Sequence, residues 1–316
     1  MVLEQHPMKV LFVASGTKSH GQFNAFVQSQ FDSLQKEGLD MLAYPVVGRG
    51  WRGYLGNFRK LRRLILKEKP DVVHAHYSSC GYLAALAAMG QKLKKVVSIL
   101  GSFPTESRKL EFVRFCVDHV WHATIVKSER TRAQLDRELP VIPNGVDLSL
   151  FPLVDREKAR DAVGFDRDGK YVIFVSNPSR PEKQFSLAEE AVWMLHDDSV
   201  HLVPVFDKPH TEMVAYMCAA DVLIMTSANE GSPNVIKEAM VCNCPIVVTD
   251  VGDVRWVTEG VDGTYVANTF EPEELAGLLN KALEFGARTQ GRNRIVDLGL
   301  TSEQVAQKLI RIYTAR

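Results

Sequence analysis

The residues best suited to chemistry lie in a polar loop between a predicted buried strand and a predicted helix. The strand runs from Asp221 to Met225, and the loop ends in Ser232 and Pro233, where the helical pattern begins. Serine is a favourable N-cap and proline fits the first helical position, so we expect unpaired backbone amides at Asn234 and Val235. A helix start with free amides and a positive dipole end can bind an anion.

Two carboxylates accompany this helix start. Glu230 precedes it and Glu238 lies within the helix, while Gly231 allows a ligand to approach the backbone between them. This spacing lets both carboxylates contact one ligand from opposite ends. The alternative interpretation is a pair of solvated surface carboxylates, which are common on proteins.

A second polar turn follows a predicted strand at residues 171–175. It contains Asn177, Arg180 and Lys183 and leads into another helix. Arginine offers two parallel hydrogen bonds and lysine a compact charge, so the turn could hold a diphosphate. The alternative is an ordinary polar turn with surface cations.

The first half contributes two further candidates. Gly16 lies in the loop after the first predicted strand, where its amide could approach a phosphate or a sugar hydroxyl, although the loop lacks the dinucleotide and P-loop spacings. His74 and His76 end a buried-type strand, and we expect them to leave opposite faces of the sheet, which disfavours a shared metal. His76 is nearer the carboxyl end and is the better site candidate, with a packed core histidine as the alternative.

Charge is divided unevenly along a chain of zero net charge. Residues 1–150 hold 21 Lys and Arg against 13 Asp and Glu, whereas residues 151–316 hold 17 against 25. The segment from Gly50 to Lys69 reads as a basic amphipathic helix with aromatic residues. Such a helix either packs its apolar stripe on a sheet or lies on an anionic membrane surface. No nucleic-acid motif accompanies the charge, so we expect no nucleic-acid partner.

Composition excludes several classes of protein. Apolar residues make up 46% and charged residues 24%, as in ordinary globular proteins. No apolar run reaches the roughly 18 residues of a membrane span, and the N-terminus does not read as a signal peptide. We expect a cytoplasmic protein with reduced thiols, without a metal or other cofactor, because Cys242 and Cys244 lack a second ligand pair. The cysteines are Cys80, Cys116, Cys218, Cys242 and Cys244.

Short apolar runs alternate with helical patterns along the whole chain, which predicts α/β architecture with parallel sheets. Two such series indicate two doubly wound, Rossmann-like domains facing across a cleft, with ligands at the carboxyl ends of the strands. We predict a first domain at 1–148, a second at 149–300 and a last helix at 301–316. The predicted strands are 9–14, 39–44, 71–76, 95–100, 123–126, 140–142, 171–175, 200–205, 222–225, 246–248 and 264–266. The predicted helices are 22–36, 55–67, 80–89, 107–116, 128–137, 156–163, 184–195, 210–219, 233–241, 271–285 and 301–313.

These motifs together resemble a known family. The segment DVLIMTSANEGSPNVIKEAMVCNCPIVVTDVGDV at 221–254 resembles the donor-site signature of the retaining GT-B glycosyltransferases of family 4, whose two glutamates match Glu230 and Glu238. The segment VIPNGVDLSLF at 141–151 is similar to the interdomain segment of that family. Residues 70–88 and 122–135 resemble its acceptor domain, and the last helix resembles the helix that returns to the first domain.

The resemblance implies metal-independent transfer of a sugar from a nucleotide diphosphate sugar, with retained configuration. It assigns Glu238 to the ribose hydroxyls, Glu230 to the donor sugar and Lys183 to the diphosphate. The amides from Gly231 to Val235 would face the sugar and the diphosphate. The sequence departs from the family at Ser176-Asn177, where Gly-Arg is usual, and Arg180 is the candidate replacement for that arginine. It departs again at Leu100, where many members have a histidine.

The resemblance implies a saccharide or lipid-linked acceptor, in envelope or exopolysaccharide synthesis. It also implies a cytoplasmic enzyme, peripheral on the inner face of the cell membrane. Two alternatives stay open: a nucleotide-sugar epimerase of the same architecture, and a binding protein without turnover. Release of nucleotide in the presence of an acceptor distinguishes a transferase from both. A dehydrogenase is disfavoured, because neither half has the dinucleotide glycine pattern.

Overall fold

The computed structural model of the chain describes residues 7–16, 22–48, 50–101 and 108–315. The chain divides into two compact units. Unit 1 comprises Met1–Gly145 and Ser302–Arg316, and unit 2 comprises Val146–Thr301. Each unit contains one five-stranded sheet with only parallel pairings between its strands. The two parallel-sheet α/β domains predicted from the alternating pattern are therefore confirmed.

The sheet of unit 1 has the strand order β2-β1-β3-β4-β5. Its strands are β1 (Lys9–Ser15), β2 (Asp40–Val46), β3 (Val72–His76), β4 (Lys94–Ile99) and β5 (Ala123–Val126). The helices between and after them are α1 (Ala25–Lys36), α2 (Gly50–Glu68), α3 (Ser78–Ala87), α4 (Arg108–His119) and α5 (Glu129–Leu135).

Alternate side chains of β1 enter two different apolar cores. Leu11 packs with Leu61 of α2 on one face of the sheet. Phe12 packs with Val27 of α1 on the other face. A strand buried on both faces by helices reads as a continuous apolar run, which is why β1 was predictable from its sequence.

The sheet of unit 2 has the strand order β10-β9-β8-β6-β7. Its strands are β6 (Lys170–Phe174), β7 (Val200–Pro204), β8 (Val222–Met225), β9 (Ile246–Thr249) and β10 (Thr264–Ala267). The helices of unit 2 are α6 (Arg156–Val163), α7 (Phe185–Trp193), α8 (His210–Ala219), α9 (Asn234–Val241), α10 (Val254–Thr258), α11 (Pro272–Phe285) and α12 (Gly291–Asp297). The last helix of the chain, α13 (Ser302–Thr314), belongs to unit 1.

The prediction that His74 and His76 leave opposite faces of the sheet is wrong. Residues two apart on a strand share a face, and the two imidazole rings stack with their centroids 4.5 Å apart. His74 is hydrogen-bonded through Nδ1 to the hydroxyl of Tyr313 at 2.6 Å and through Nε2 to Ser98 at 2.8 Å. Burial, reinforced by the charge of Lys127, lowers the pKa of His74 well below its usual range.

Three other features differ from the predictions. Residues 140–142 form only an isolated bridge, between Val126 and Val141, rather than a strand. Helices α10 and α12 were not predicted, because each has at most seven residues and too few apolar positions to show a helical period.

Among the described residues, no helix is long and apolar enough to cross a membrane.

Candidate functional site

The candidate site lies at the carboxyl ends of β6 and β8 in unit 2. After β6 the chain crosses to β7 on one side of it, and it then returns to β8 on the other side. A sheet of this topology opens a crevice between the two strands at which the order reverses, and ligands of such sheets bind there. The two polar segments singled out in the sequence follow these two strands.

Hydrogen bonds join these two segments. The hydroxyl of Thr226, just after β8, donates to the carbonyl oxygens of Lys183 at 3.0 Å and Gln184 at 2.8 Å. The amide of Ala228 donates to the carbonyl oxygen of Glu182 at 3.0 Å. The turn after β6 and the loop after β8 therefore form one surface, although they are more than forty residues apart in sequence.

Lys183 and Glu230 form an ion pair on this surface. The ammonium nitrogen of Lys183 lies 2.5 Å from the carboxylate oxygen Oε1 of Glu230, and the side chains are 16% and 22% exposed. Such partial burial strengthens a charge interaction relative to one on an open surface. The pair places a cation that can bind phosphate beside a carboxylate that can accept hydroxyl hydrogen bonds.

Glu238 is a half-buried carboxylate of α9 with an unusual proton affinity. Burial raises its pKa to about 7, and the charge of the neighbouring Lys237 opposes that rise. A carboxylate that gains or loses its proton near neutral pH is a mark of functional sites, because ligand binding can change its protonation.

The start of α9 differs by one residue from the prediction. Helix α9 begins at Asn234, and its N-cap is Pro233, which makes no side-chain capping bond. Ser232 does not act as the cap, because its hydroxyl instead accepts a hydrogen bond from the ammonium of Lys237 at 3.1 Å. Asn234 and Val235 occupy the first turn, where both are half-buried.

Three residues that the sequence interpretation did not single out support this loop. Gly252 has φ of +60°, and a Cβ atom there would overlap the carbonyl group of Gly231. Lys237 is 1% exposed and Asp253 is 8% exposed, both behind the loop. The sequence offered one sign of this buried pair: Lys237 interrupts the apolar face of the predicted helix 233–241.

The other predicted site residues have partners outside the ion pair or lie in the other unit. Arg180 is exposed and pairs with Glu182, with 2.7 Å between guanidinium and carboxylate. Asn177 accepts hydrogen bonds from the amide and hydroxyl of the next residue but one, Ser179. Gly16 belongs to unit 1, where its amide donates to the carbonyl oxygen of Val46.

His76 also belongs to unit 1 and is 1% exposed. Its two ring nitrogens have no hydrogen-bond partner among the described residues. Burial, with smaller contributions from His74 and Lys127, lowers the pKa of His76 well below its usual range, so its imidazole is neutral at physiological pH. A part for His76 in the site, as a catalytic residue, stays a prediction that the buried imidazole does not test.

The fold and the site together define a class of enzymes with two parallel-sheet α/β domains. Residues 24–150 match the family described as Glycosyltransferase Family 4, and residues 166–284 match Glycosyl transferases group 1. The chain belongs to family 4 of the glycosyltransferases, and its fold is GT-B.

Curated relatives are similar over much of this chain. It is 27% identical over 58% of its length to TuaC of Bacillus subtilis, described as a teichuronic acid biosynthesis glycosyltransferase. It is 26% identical over 78% of its length to a D-inositol 3-phosphate glycosyltransferase of Geodermatophilus obscurus. An Escherichia coli UDP-Gal:alpha-D-GlcNAc-diphosphoundecaprenol alpha-1,3-galactosyltransferase is 25% identical over 60% of this chain. The chain spans 54%, 66% and 60% of these three relatives, respectively.

Solved structures share the fold at low sequence identity. A sucrose-phosphate synthase of Thermosynechococcus elongatus superposes with a TM-score of 0.75 at 17% identity, over 96% of this chain and 98% of the other. HepE of Anabaena in complex with UDP gives 0.74 at 18% identity, over 96% and 99%. A UDP-GlcNAc 2-epimerase of Methanocaldococcus jannaschii gives 0.61 at 13% identity, over 96% and 99%. At such identities the likeness concerns the fold alone.

Proposed function

We propose that the protein is a retaining glycosyltransferase that moves a sugar from a nucleotide diphosphate sugar to a saccharide or lipid-linked acceptor. The observation that carries this proposal is the ion pair between Lys183 and Glu230 at the switch point of the unit 2 sheet, on the loop that leads into the helix of Glu238. A nucleotide diphosphate sugar offers ribose hydroxyls, a diphosphate and sugar hydroxyls. The site offers a partner for each of these groups.

The proposed roles follow from the charges. The ionised carboxylate of Glu238 accepts hydrogen bonds from the ribose hydroxyls, and the ammonium of Lys183 contacts the diphosphate. Glu230 then accepts hydrogen bonds from the donor sugar. The loop from Gly231 to Val235 presents its backbone to the sugar and the diphosphate.

Catalysis by this site is electrostatic. Negative charge accumulates on the departing nucleoside diphosphate as the glycosidic bond breaks, and a fixed cation stabilises that charge. We propose that Lys183 and the start of α9 supply this stabilisation without a metal or other cofactor. Two routes lead to retention: attack on the face from which the nucleotide departs, and double displacement through a covalent intermediate.

The acceptor belongs to envelope or exopolysaccharide synthesis in this proposal. Two relatives are named for teichuronic acid biosynthesis and for transfer to a diphosphoundecaprenol-linked sugar, which supports a lipid-linked acceptor. A lipid-linked acceptor requires the enzyme to work at a membrane. We therefore propose a cytoplasmic protein that binds the inner face of the cell membrane.

A basic and apolar surface on unit 1 supports the membrane contact. Leu61 and Ile65 of α2 pack into the core, so the opposite side of the helix faces outward. The exposed cations of α2, among the side chains that the structure describes, are Arg59, Lys60, Arg63 and Lys67. Leu66 is 44% exposed, and Met89, just after α3, is 63% exposed. Apolar side chains among cations suit the interface of an anionic bilayer.

Sedimentation with lipid vesicles tests this contact. We expect binding to vesicles of phosphatidylcholine and phosphatidylglycerol, and none to phosphatidylcholine alone. Each cation near such a surface contributes about 1 kcal/mol, so Arg63→Glu with Lys67→Glu should weaken binding at least thirtyfold. The control is Lys158→Glu, at an exposed lysine of α6. Failure to sediment with the anionic vesicles refutes the membrane proposal.

Product analysis tests the reaction. We expect nucleoside diphosphate to be released from the nucleotide sugar only when acceptor is added, and a product with the anomeric configuration of the donor. The epimerase alternative instead predicts altered sugar stereochemistry with the nucleotide still attached. Its single support is the shared fold of the Methanocaldococcus enzyme. A binding protein without turnover would change neither compound.

A further inference from the structure

A buried chain of polar groups lies behind the loop that carries Glu230. Lys237 is 1% exposed, and its ammonium donates a hydrogen bond to the hydroxyl oxygen of Ser232 at 3.1 Å. The carboxylate of Asp253, which is 8% exposed, interacts with the same hydroxyl and with the charge of Lys237. One serine of the loop thus connects a buried cation of α9 with a buried carboxylate at the start of α10.

Because these groups are buried, losing one of their contacts would be costly in free energy. A charged group taken out of water is costly unless a partner of opposite charge and good hydrogen bonds compensate for it. The charges that act on Lys237 are those of Asp253 and Glu238, and the charge that acts on Glu238 is that of Lys237. One oxygen of Asp253, Oδ2, has no hydrogen-bond partner in the described residues. A shift of the loop at Ser232 would remove a hydrogen-bond partner of the buried Lys237 ammonium.

The backbone of the turn at 252–253 also lies close to the loop that carries Glu230. Gly252 precedes Asp253, and a Cβ atom at Gly252 would lie 2.8 Å from the carbonyl carbon of Gly231 and 3.1 Å from the carbonyl oxygen of Glu230. Only a glycine allows this approach. The turn at 252–253 thus contacts the loop at Gly231, and the side chain of Lys237 contacts it at Ser232.

We propose that Lys237 and Asp253 are positioning residues, joined through Ser232, that hold the loop at 230–233 and the start of α9 in the conformation that binds the nucleotide sugar. This inference rests on the proposed function, because it assigns a task to groups behind the same site. Neither residue contacts the substrate. Lys237 has a second effect, since its positive charge favours the ionised form of Glu238.

The variant Lys237→Met tests both effects. It keeps an unbranched apolar stem of similar length and removes the charge and the contact with Ser232. We expect UDP affinity to fall about tenfold at pH 8, the size of one charge-assisted hydrogen bond. Without the cation the pKa of Glu238 rises, so the pH at which UDP affinity is half-maximal should move upward. A purely structural role would not move that midpoint.

Calorimetric titration with UDP from pH 6 to 9 measures both quantities. The matched control is Lys158→Met, at an exposed lysine of α6. If Lys237→Met does not fold, Lys237→Met with Asp253→Asn removes both buried charges, and we expect it to fold and to show the same loss and the same shift. Folded variants with wild-type UDP affinity and an unchanged midpoint overturn the inference.

The measurements distinguish failure of the proposed function from failure of the positioning inference. If wild-type protein binds no nucleoside diphosphate, the proposed function fails. If the wild type binds UDP and the Lys237 variants bind it equally well, only the positioning inference fails.

Discussion

Replacing Gly252 with alanine should displace the loop that binds the donor. At φ of +60° an alanine is strained by about 1–2 kcal/mol, whereas glycine adopts this conformation freely. The added Cβ would also overlap the carbonyl oxygen of Gly231, with its carbonyl carbon at 2.8 Å. Overpacking of this kind costs roughly 1–3 kcal/mol, so we expect the free energy of unfolding to fall by roughly 2–5 kcal/mol. If the displaced loop loses one charge-assisted contact to the diphosphate or sugar, UDP affinity should fall roughly ten- to a hundredfold.

Gly260→Ala is the matched control. Gly260 has φ of +73°, but a Cβ atom there meets nothing within 4 Å. This variant should lose only the backbone cost of about 1–2 kcal/mol and should bind UDP normally. Urea denaturation gives the two free energies, and calorimetry gives the two affinities. If both variants lose the same free energy of unfolding and both bind UDP as the wild type does, the reasoning is refuted. The close approach of Gly252 to Gly231 would then not be needed for donor binding.

UDP affinity should fall as the pH drops through about 7, because Glu238 then takes up a proton and loses the charge that accepts ribose hydrogen bonds; a flat calorimetric profile from pH 6 to 8.5 would contradict this. Asp221→Asn should cost about 3 kcal/mol in urea denaturation, because it removes the charge partner of Arg160, which is 3% exposed. A loss under 1 kcal/mol would show that Arg160 does not depend on this carboxylate. Tyr313→Phe should cost about 1–3 kcal/mol, because Nδ1 of the buried His74 loses its partner. An unchanged thermal midpoint would rule that out.

Sequence alone predicted the strands well where both faces are buried. The predicted spans for β5 and β8 have the observed bounds, because their apolar runs end where the sheet does. Helices α6 and α8 were predicted with their exact residues, since polar or proline residues precede them. The short helix α10 escaped prediction, because five residues carry too little periodicity.

The sequence predicted the residues proposed to bind the donor, but not the buried residues behind them. Glu230, Glu238 and Lys183 were singled out from loop chemistry and from the family resemblance. The contact between Lys183 and Glu230 follows from strand order, which brings β6 beside β8. The roles of Lys237 and Asp253 depend on burial and on close packing of two turns. Residue type alone does not reveal the burial of either side chain, since lysine and aspartate are usually exposed.

The central claim is that unit 2 binds a nucleotide sugar through Glu238. Calorimetry with uridine, guanosine, thymidine, adenosine and cytidine diphosphates tests it directly, on wild type and on Glu238→Ala, with the exposed Glu189→Ala as control. We predict that one diphosphate binds tightly, that Glu189→Ala binds it equally well, and that Glu238→Ala loses about 1.5–3 kcal/mol, roughly ten- to a hundredfold in affinity. Binding to none of the five, or full affinity in Glu238→Ala, would contradict the account.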